Sequence, residues 1–281
     1  MWDHEPLTYV IVLNWNGWRD TLMCLDSLQD LDYPNYRTVV VDNGSTDGSV
    51  EHIHIKYPDQ VVLESGTNLG FSAGNNLGIK YALEQGAEYI WLLNNDAQAA
   101  PQALSAMVDL LESNATVGAA ASVIYDQADP QRVQAWGGGT VNLWTGTTKV
   151  QVEPGAARNL DYLTGASILL RASTLEDVGL LDEAYFLFWE DVELGFRIRS
   201  RGWQLAVAEP SRIWHKASAS MGGEQSPESY AHYCKSAWRF FRHHATIPVV
   251  PLALRFTGGL LKWILQRDWR RTRILLSTPR S

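Results

Sequence analysis

A short apolar run that stops at three polar residues constrains this sequence most strongly. Residues 89–93 carry no charge and are followed at once by Asn94, Asn95 and Asp96. Such a run is typical of a buried strand, and open α/β sheets bind ligands at the carboxyl ends of their strands. Asp96 can therefore offer a carboxylate to a divalent cation. Turn formation or helix capping would also explain the three polar residues.

Strand-like and helix-like segments alternate along the first half of the chain. Apolar runs indicate buried strands at 8–13, 36–41 and 89–93 and a short strand at 61–63, and segments with helical spacing or capping residues separate them. This alternation predicts an α/β fold with a mostly parallel central sheet and helices on both faces. Further along, we expect strands at 117–124, 162–170 and 205–208, a helix ending at Arg201, and loops or an edge hairpin over 126–160.

The composition is that of a globular chain in a reducing compartment. Of the 281 residues, 46% are hydrophobic and 19% are charged, a balance that excludes a disordered chain. The two cysteines provide no disulfide framework. The residues after Met1 include acids where a secretory signal would carry bases, so no signal peptide is expected. These features together predict a cytoplasmic protein.

Charge is distributed unevenly between the two ends of the chain. Residues 232–281 contain ten Lys and Arg residues and one acid, a net charge of +9, whereas residues 1–231 carry −17. Apolar residues are interleaved with these bases, which favours an anionic membrane surface over nucleic acid as the partner. Prolines, Gly258, Gly259 and two cations argue against a membrane-spanning helix. We expect a basic amphipathic helical tail over 226–281, peripheral at the inner face of the cell membrane, with a packed core helix as the alternative.

Two polar segments follow predicted strands and are candidates for ligand binding. Asp42 precedes a Gly-Ser-Thr-Asp-Gly turn, where an acid can accept hydrogen bonds from a ribose hydroxyl or a base N–H. Gly70 and Gly74 open a predicted helix whose free N–H groups can contact a phosphate. An Asx-turn would account for Asp42 without any ligand. The glycine spacing matches neither a Walker A loop nor the dinucleotide-binding fingerprint.

Candidates for the chemistry itself lie in the second half of the sequence. Asp191, next to Glu190, falls at the predicted start of a helix and is either a general base or a helix cap. The aromatic residues Phe186, Phe188 and Trp189 precede it and would form an apolar wall that excludes water. His215 can complete a metal site or contact a diphosphate, although a single histidine is more often structural.

Six motifs occur in order between residues 8 and 216. They are Leu13-Asn14-Trp15-Asn16, Val41-Asp42-Asn43-Gly44-Ser45-Thr46-Asp47-Gly48, Asn68-Leu69-Gly70-Phe71-Ser72-Ala73-Gly74-Asn75-Asn76, Leu93-Asn94-Asn95-Asp96, Thr164-Gly165-Ala166 and Trp189-Glu190-Asp191-Val192-Glu193-Leu194. Each motif is modest, but the ordered set resembles the family 2 glycosyltransferases of the GT-A fold, most closely their bacterial rhamnosyltransferase branch. The resemblance implies a Rossmann-like α/β domain.

The resemblance also implies a role for each matched residue. The residues expected to bind the nucleotide-sugar are Asn14, Asn16, Asp42, Asn68, Gly70, Phe71, Asn75, Asn94 and Asn95. Those expected on the acceptor side are Thr164, Gly165, Trp189 and Glu190, with Asp191 as the catalytic base. Asn94 stands in place of the first acid of the family's Asp-x-Asp motif. Asp96 would therefore be the principal ligand of Mg²⁺ or Mn²⁺, joined by His215.

The activity implied by the resemblance is inverting transfer of a sugar. The favoured donor is dTDP-β-L-rhamnose, the alternatives are UDP-hexose and UDP-galactofuranose, and the acceptor is a growing lipid-linked polysaccharide or glycolipid. Residues 1–225 would form the transferase domain, with a nucleotide-sugar half (1–100) and an acceptor and catalytic half (101–225). A homodimer is compatible with this organisation.

Two other function classes use similar sheets. A non-catalytic nucleotide-sugar or glycan-binding protein would not need both Asp96 and Asp191, and their joint presence argues against it. A nucleotidyltransferase usually opens with a glycine-rich, basic phosphate loop after its first strand. The segment Asn14-Trp15-Asn16-Gly17 is poor in both glycine and base.

Overall fold

The computed structural model describes residues 5–154, 160–216 and 226–277. The strands are β1 (Thr8–Asn14), β2 (Tyr36–Asp42), β3 (Val61–Glu64), β4 (Tyr89–Asn94), β5 (Ala97–Ala99), β6 (Val117–Asp126), β7 (Val133–Trp136), β8 (Gly138–Asn142), β9 (Thr147–Val150), β10 (Tyr162–Leu163), β11 (Ser167–Arg171) and β12 (Gln204–His215). The helices are α1 (Trp18–Leu28), α2 (Ser49–Lys56), α3 (Gly70–Glu84), α4 (Ala103–Ser113), α5 (Ala172–Val178), α6 (Glu190–Ser200), α7 (Pro227–His244), α8 (Val249–Leu265) and α9 (Trp269–Ser277).

One large sheet runs through the molecule in the order β3-β2-β1-β4-β11-β6-β12-β5, with β7 on β6. The first four strands are parallel, as predicted, whereas β11 is antiparallel to both β4 and β6. A parallel strand needs a crossover connection, and β11 instead follows the small antiparallel sheet β10-β8-β9 directly. The predicted α/β class is confirmed: β3, β2, β1 and β4 are parallel, and β6 and β12 form a second parallel pair beyond β11.

Helices cover both faces of the sheet because side chains alternate along each strand. In β1, Val10 and Val12 belong to an apolar cluster with α1, α2 and α4, whereas Tyr9 and Ile11 belong to a second cluster with α3, α5 and α6. A strand that is buried on both faces reads as a continuous apolar run. The sequence of β1 is therefore a continuous apolar run because the strand is buried on both faces.

Several elements are longer or more ordered than the sequence predicted. Strand β12 was expected at 205–208 but extends to His215, because a register shift between Ala208 and Arg212 accommodates Pro210. Strands β7, β8 and β9 lie in the region predicted as loops or a hairpin, and β8 and β9 form an antiparallel hairpin there. The short elements β5 and α5 had no signal in the sequence pattern.

The carboxyl-terminal helices differ in how they contact the body. Helix α7 inserts Phe240 and Phe241, both fully buried, into an apolar cluster with Tyr185 and Trp189. Helices α8 and α9 leave large apolar side chains exposed, including Val249, Leu254, Leu261, Ile264, Leu265, Trp269 and Leu276. Across the described residues, no helix is both long and apolar enough to cross a bilayer. The predicted boundary at residue 225 adjoins 217–225, which lie outside the described residues, so the domain division stays a prediction.

Candidate active site

A cavity of about 340 Å³, called the first cavity below, opens at the carboxyl edge of the large sheet. It lies where β1, β4 and β12 end and α6 begins. Eleven of the residues predicted from the sequence line it: Asn68, Gly70, Phe71, Asn94, Asn95, Asp96, Thr164, Gly165, Glu190, Asp191 and His215. Residues distant in the chain, such as Asn68 and His215, which are 147 positions apart, thus meet around one cavity.

A carboxylate and an imidazole meet at one end of the first cavity. Asp96 Oδ1 and His215 Nε2 are 3.0 Å apart, and Asn94 Nδ2 lies 3.2 Å from the same ring nitrogen. The other ring nitrogen, Nδ1, is 3.2 Å from Gln134 Oε1. When Nδ1 donates to Gln134, Nε2 presents its lone pair beside the Asp96 carboxylate. That arrangement of two electron-rich atoms suits a shared cation.

The residues present fit a divalent cation that completes its shell with other ligands. Asp96 and His215 supply oxygen and nitrogen donors, which suit Mn²⁺, and Mg²⁺ often takes only one or two carboxylates plus substrate phosphates. Within the described ranges, no group of three or more His, Cys, Asp and Glu side chains could hold a metal ion by itself. A cation at this pair would therefore need oxygens from a bound ligand.

Five polar side chains behind the first cavity form a closed hydrogen-bond network, called the polar network below. Asn14 Nδ2 donates to Asp42 Oδ1 (2.8 Å) and Ser45 Oγ (3.1 Å), and Thr21 Oγ1 donates to Asn14 Oδ1 (2.8 Å). The Ser45 N–H donates to Asp42 Oδ2 (2.9 Å), and Asn95 Nδ2 donates to Thr21 Oγ1 (3.1 Å). Only Asn95 also lines the cavity.

The predicted nucleotide-binding residues Asn14, Asn16, Asp42 and Asn75 do not line the first cavity. Asn14 and Asp42 are buried and engaged with each other, so they position the loops around them. Asn16 accepts from the Thr46 N–H (2.7 Å), and Asn75 donates back to the Phe71 carbonyl within α3 (3.0 Å). Their direct contacts with a nucleotide stay predictions.

Asn43 was not among the predicted site residues, although it shares a motif with Asp42. Its Nδ2 donates to Asn68 Oδ1 (3.1 Å) and to the Gly70 carbonyl (3.0 Å), and its Oδ1 accepts from the Leu69 N–H (2.9 Å). One buried side chain therefore joins the end of β2 to the start of α3. An Asn directly after a buried strand was the available signal.

Gly70 connects the nucleotide side of the first cavity to the catalytic side. Its φ is +84°, and a Cβ at this position would lie 2.5 Å from the Phe186 carbonyl oxygen. The adjacent Phe71 N–H donates to that carbonyl at 2.7 Å. Glycine is required here both by the left-handed backbone and by the close approach of the segment before α6.

The Asp191 carboxylate is held by two backbone N–H groups. Oδ2 accepts from the Gly165 N–H at 2.9 Å, and Oδ1 accepts from the Val192 N–H at 2.7 Å. Burial raises the pKa of Asp191 above its ordinary value, and these hydrogen bonds act against the rise by stabilising the charged form. Asp191 lies in the first turn of α6, one residue after the start, and the cap position belongs to Trp189.

Glu190 is buried beside Asp191, and its Oε2 has no hydrogen-bond partner in the described part of the chain. Burial, and next the negative charge of Asp191, raise the pKa of Glu190 well above its ordinary value. Because backbone donors favour the charged form of Asp191, the pair carries its negative charge on Asp191 and its proton on Glu190. Of the two acids, Asp191 is the one able to accept a proton.

Two consecutive residues before α6 have left-handed backbones. Phe188 has a φ of 66° and Trp189 a φ of 70°, a conformation that is costly for bulky residues. The turn directs Phe188 into the lining of the first cavity. Trp189 points the other way, with its ring centroid 5.0 Å from that of Phe240. Trp189 thus does not line the first cavity and packs α6 against α7, and its expected acceptor-side role stays a prediction.

Several residues that line the first cavity were absent from the predicted set. Leu13 and Trp15 lie in the first motif, and Ala166 and Leu187 lie in or beside the later ones, whereas Phe186 and Phe188 line the cavity as members of the expected apolar wall. Ser229 lies on α7, beyond the part of the chain that the resemblance covers. Its sequence context carried no signal, because only tertiary packing brings α7 against this cavity.

The chain has the GT-A fold of solved glycosyltransferases. A mannosyltransferase from Pyrobaculum calidifontis, solved in complex with GDP-Man and Mn²⁺, matches with a TM-score of 0.62 at 17% identity, over 99% of this chain and 87% of the other. GalNAc-T7, solved with UDP, GalNAc and Mn²⁺, matches with a TM-score of 0.65 at 15% identity, over 85% and 49%.

The chain belongs to glycosyltransferase family 2, whose sequence model matches residues 9–178. An N-acetylglucosaminyl-diphospho-decaprenol L-rhamnosyltransferase of Mycobacterium tuberculosis is 27% identical over 246 residues, which cover 79% of this chain and 80% of the relative. A galactofuranosyltransferase of the same species is 28% identical over 60% of this chain and 56% of its own length. The predicted family and its rhamnosyltransferase-like branch are confirmed.

Proposed function

We propose that this chain transfers L-rhamnose from dTDP-β-L-rhamnose, with inversion, to a hydroxyl of a lipid-linked precursor of a cell-surface polysaccharide or glycolipid. The observation that carries the proposal is one cavity with the Asp96–His215 pair at one end and the half-buried Asp191 carboxylate in its wall. A transferase needs these two functions at opposite ends of the bond that breaks. The similarity to a rhamnosyltransferase over most of both chains supports the donor and the acceptor class.

Asp191 acts as the general base in this proposal. One of its carboxylate oxygens takes the proton of the acceptor hydroxyl while that hydroxyl oxygen bonds to the anomeric carbon. The bond from the anomeric carbon to the diphosphate oxygen breaks on the opposite side, which inverts the configuration. The Gly165 and Val192 N–H groups keep Asp191 charged and oriented before the reaction.

Asp96 and His215 would hold Mg²⁺ or Mn²⁺, which supplies positive charge for the diphosphate leaving group. Phe186 and Phe188 line the first cavity ahead of Asp191 and exclude water from the anomeric carbon. Exclusion of water matters here because water would compete with the acceptor hydroxyl. The two solved GT-A structures that match this fold were both determined with Mn²⁺.

The proposed acceptor places the protein at the cytoplasmic face of a membrane. The +9 tail region brings bases close to the exposed apolar side chains of α8 and α9. A basic surface with protruding apolar groups binds anionic lipid both by electrostatic attraction to the headgroups and by burial of the apolar groups. Co-sedimentation with anionic vesicles, and none with zwitterionic vesicles, is the expected result; equal recovery with both would contradict it.

A UDP-sugar donor is the second candidate. The match to a galactofuranosyltransferase favours it, because that relative shares this fold region at a similar identity. The general base and the cation pair would serve in the same way. Only the sugar and the base of the nucleotide would differ.

Calorimetric titration of dTDP, UDP and GDP, each with and without Mn²⁺, tests the proposal. We expect dTDP to bind most tightly, to need Mn²⁺, and to lose that dependence in Asp96→Ala. Asp109→Ala, which changes an exposed acid on α4 that does not line the first cavity, serves as the control variant. Selective UDP binding would establish the second candidate. No metal-dependent binding of any of the three would contradict both.

A further inference from the structure

A second cavity, of about 490 Å³, lies between α7, α8, α9 and the turn joining β8 to β9. Most of its lining is apolar or aromatic, including Tyr230, Tyr233, Leu252, Trp263 and Leu275. No Asp or Glu is among the lining residues, and its charged members are Arg255 and Lys262. This size is within the range of pockets for small organic molecules, and such a lining selects an apolar ligand.

Arg255 carries a charge that no carboxylate neutralises within the described residues. Its guanidinium donates to the Gly146 carbonyl and to Tyr233 Oη (2.8 Å), which are both neutral. Its Cζ lies 5.2 to 5.4 Å from the ring centroids of three aromatic side chains: Trp189, Tyr233 and Phe241. A half-buried cation held by neutral groups attracts an anion.

Lys262 provides a second positive charge at the same cavity. Its Nζ lies 4.4 Å from the Trp263 ring centroid, and no carboxylate pairs with it in the part of the chain that the structure describes. Arg271, which also approaches Trp263, differs because Asp268 Oδ2 lies 3.1 Å from its Nη1. The second cavity therefore combines an apolar interior with two bases that lack an acidic partner.

Helix α7 forms a wall shared by the two cavities. Ser229 lines the first cavity, and the next residue, Tyr230, lines the second. Phe188 lines the first cavity, and its ring centroid is 5.9 Å from that of Tyr233, which lines the second. One layer of aromatic side chains thus separates the general base's cavity from the apolar one.

We propose that the second cavity binds the lipid end of the acceptor, a polyprenyl chain joined to a diphosphate. The chain would occupy the aromatic interior, and the diphosphate would contact Arg255 and Lys262. The shared wall would then place the sugar attached to that diphosphate on the side of the first cavity. This inference rests on the proposed function, because it identifies the lipid part of the same acceptor.

Binding of farnesyl diphosphate to the full chain, measured by calorimetry in EDTA, tests this site. EDTA removes cations that would draw the probe's diphosphate to Asp96 and His215. We expect the wild-type protein to bind farnesyl diphosphate about tenfold more tightly than farnesol, because the two bases contact the diphosphate, a difference of ~1.4 kcal/mol. Inorganic diphosphate alone should bind more weakly than farnesyl diphosphate, because it lacks the chain.

A variant that fills the second cavity provides the steric test. Gly259 lines this cavity, and a Cβ added there would lie 3.1 Å from Leu275 Cδ2 and 3.5 Å from Tyr230 Oη, two other lining residues, so Gly259→Leu directs a side chain into the space. Ala253→Leu introduces the same side chain at an exposed position of α8 outside the lining. We expect farnesyl diphosphate affinity to fall about tenfold in Gly259→Leu and to stay within about twofold in Ala253→Leu.

A matched pair of charge variants tests the anion contact. Lys262→Gln removes a base that lines the second cavity, and Arg270→Gln removes an exposed base on α9 that does not. The preference for farnesyl diphosphate over farnesol should fall about fivefold in Lys262→Gln and stay unchanged in Arg270→Gln. Equal losses in both would show general attraction to a basic surface and would overturn the site.

Failure of this inference is separable from failure of the proposed function. If dTDP binds with Mn²⁺ but farnesyl diphosphate binds all variants equally or not at all, the lipid site is wrong and the transferase assignment stands. If farnesyl diphosphate binding requires Mn²⁺ and dTDP displaces it, the probe occupies the first cavity, which also overturns the lipid site. Absent nucleotide binding contradicts the proposed function regardless of the lipid result.

Discussion

Two regions adjoin the first cavity: the polar network at the ends of β1 and β2, and the segment Phe188–Asp191 at the start of α6. They differ in whether their polar groups are hydrogen-bonded and their backbones are relaxed. In the network, Asn14, Asp42 and Ser45 satisfy one another's hydrogen-bonding groups. In the α6 segment, two bulky residues have left-handed backbones, and Glu190 is buried with one oxygen that has no hydrogen-bond partner among the described residues.

The difference indicates that the polar network serves ligand binding and that the α6 segment serves catalysis. A satisfied polar network is rigid and suits the binding of a ligand that must be held in one orientation. Strained backbone and a buried acid pair persist only where the surrounding packing imposes them, and such features concentrate at sites of chemistry. We therefore expect changes in the network to affect donor affinity and changes around α6 to affect turnover.

The largest effect is expected from removing the base. Asp191→Asn keeps the shape of the side chain but cannot accept the hydroxyl proton, so the transfer rate should fall by about 10²- to 10⁴-fold. Donor affinity, measured by dTDP calorimetry with Mn²⁺, should stay close to that of the wild type. Asp177→Asn is the control and should retain activity. Asp177 lies on α5, is partly exposed and forms an ion pair with Arg201. Full activity in Asp191→Asn would refute the base assignment.

The second-largest effect is expected from removing an aromatic side chain that packs behind α6. Phe240→Ala leaves a cavity against Trp189 and should lower the free energy of unfolding by about 3–5 kcal/mol in urea denaturation. It should also lower kcat, because Trp189 loses the packing that holds Asp191 in place. Leu111→Ala, on the buried face of α4, should cost about 2–5 kcal/mol of stability without lowering kcat. Equal kcat losses in both would show that destabilisation alone is responsible.

A break in the polar network should have a smaller and different effect. Asn14→Ala leaves buried groups of Asp42 and Thr21 without their partner and should cost about 1–3 kcal/mol of stability. The KM for the donor should rise while kcat at saturating donor is kept. Asn35→Ala removes an exposed contact to the Glu5 carbonyl and should leave both parameters unchanged. A fall in kcat with unchanged KM for Asn14→Ala would reverse the proposed division.

The smallest effect concerns the pH dependence of stability. Burial and the charge of Asp191 raise the pKa of Glu190 in the folded state. The contribution of Glu190 to the free energy of unfolding of the wild type therefore falls as pH rises from the ordinary carboxyl range through the raised pKa. The side chain in Glu190→Gln cannot ionise, so the melting temperature of this variant should rise relative to that of the wild type as pH increases over that window. Glu51→Gln, at an exposed position of α2, should show no such trend. A difference that shrinks with rising pH would contradict the assignment of the proton to Glu190.

The parts of the fold and site that were predictable had local signals. The runs of β1 and β4 and the part of β2 over residues 39–41 are apolar because both faces of these strands are buried there, and each strand ends in polar residues at the ligand edge. Asp96 and Asp191 were recognisable because their neighbours along the chain form motifs. His215 had only its residue type in its favour, and the structure places it 3.0 Å from Asp96.

The parts that were not predictable depend on contacts between distant segments. Trp189 could have faced either side of the turn, and the packing of Phe240 on its ring decides the direction. Ser229 reaches the first cavity only because α7 folds back on α6. The second cavity has no sequence motif, since its lining comes from three helices and a strand turn.

The sequence by itself determined the family, the first half of the sheet and the identity of the acids, because apolar periodicity and strand-end motifs act over a few residues. The tertiary structure decided which of those residues share a cavity, which of the two adjacent acids holds the charge, and how the basic tail packs. These outcomes depend on burial and on hydrogen-bond donors such as the Gly165 N–H, 26 residues from Asp191. Neither burial nor such a donor can be read from the residues beside an acid.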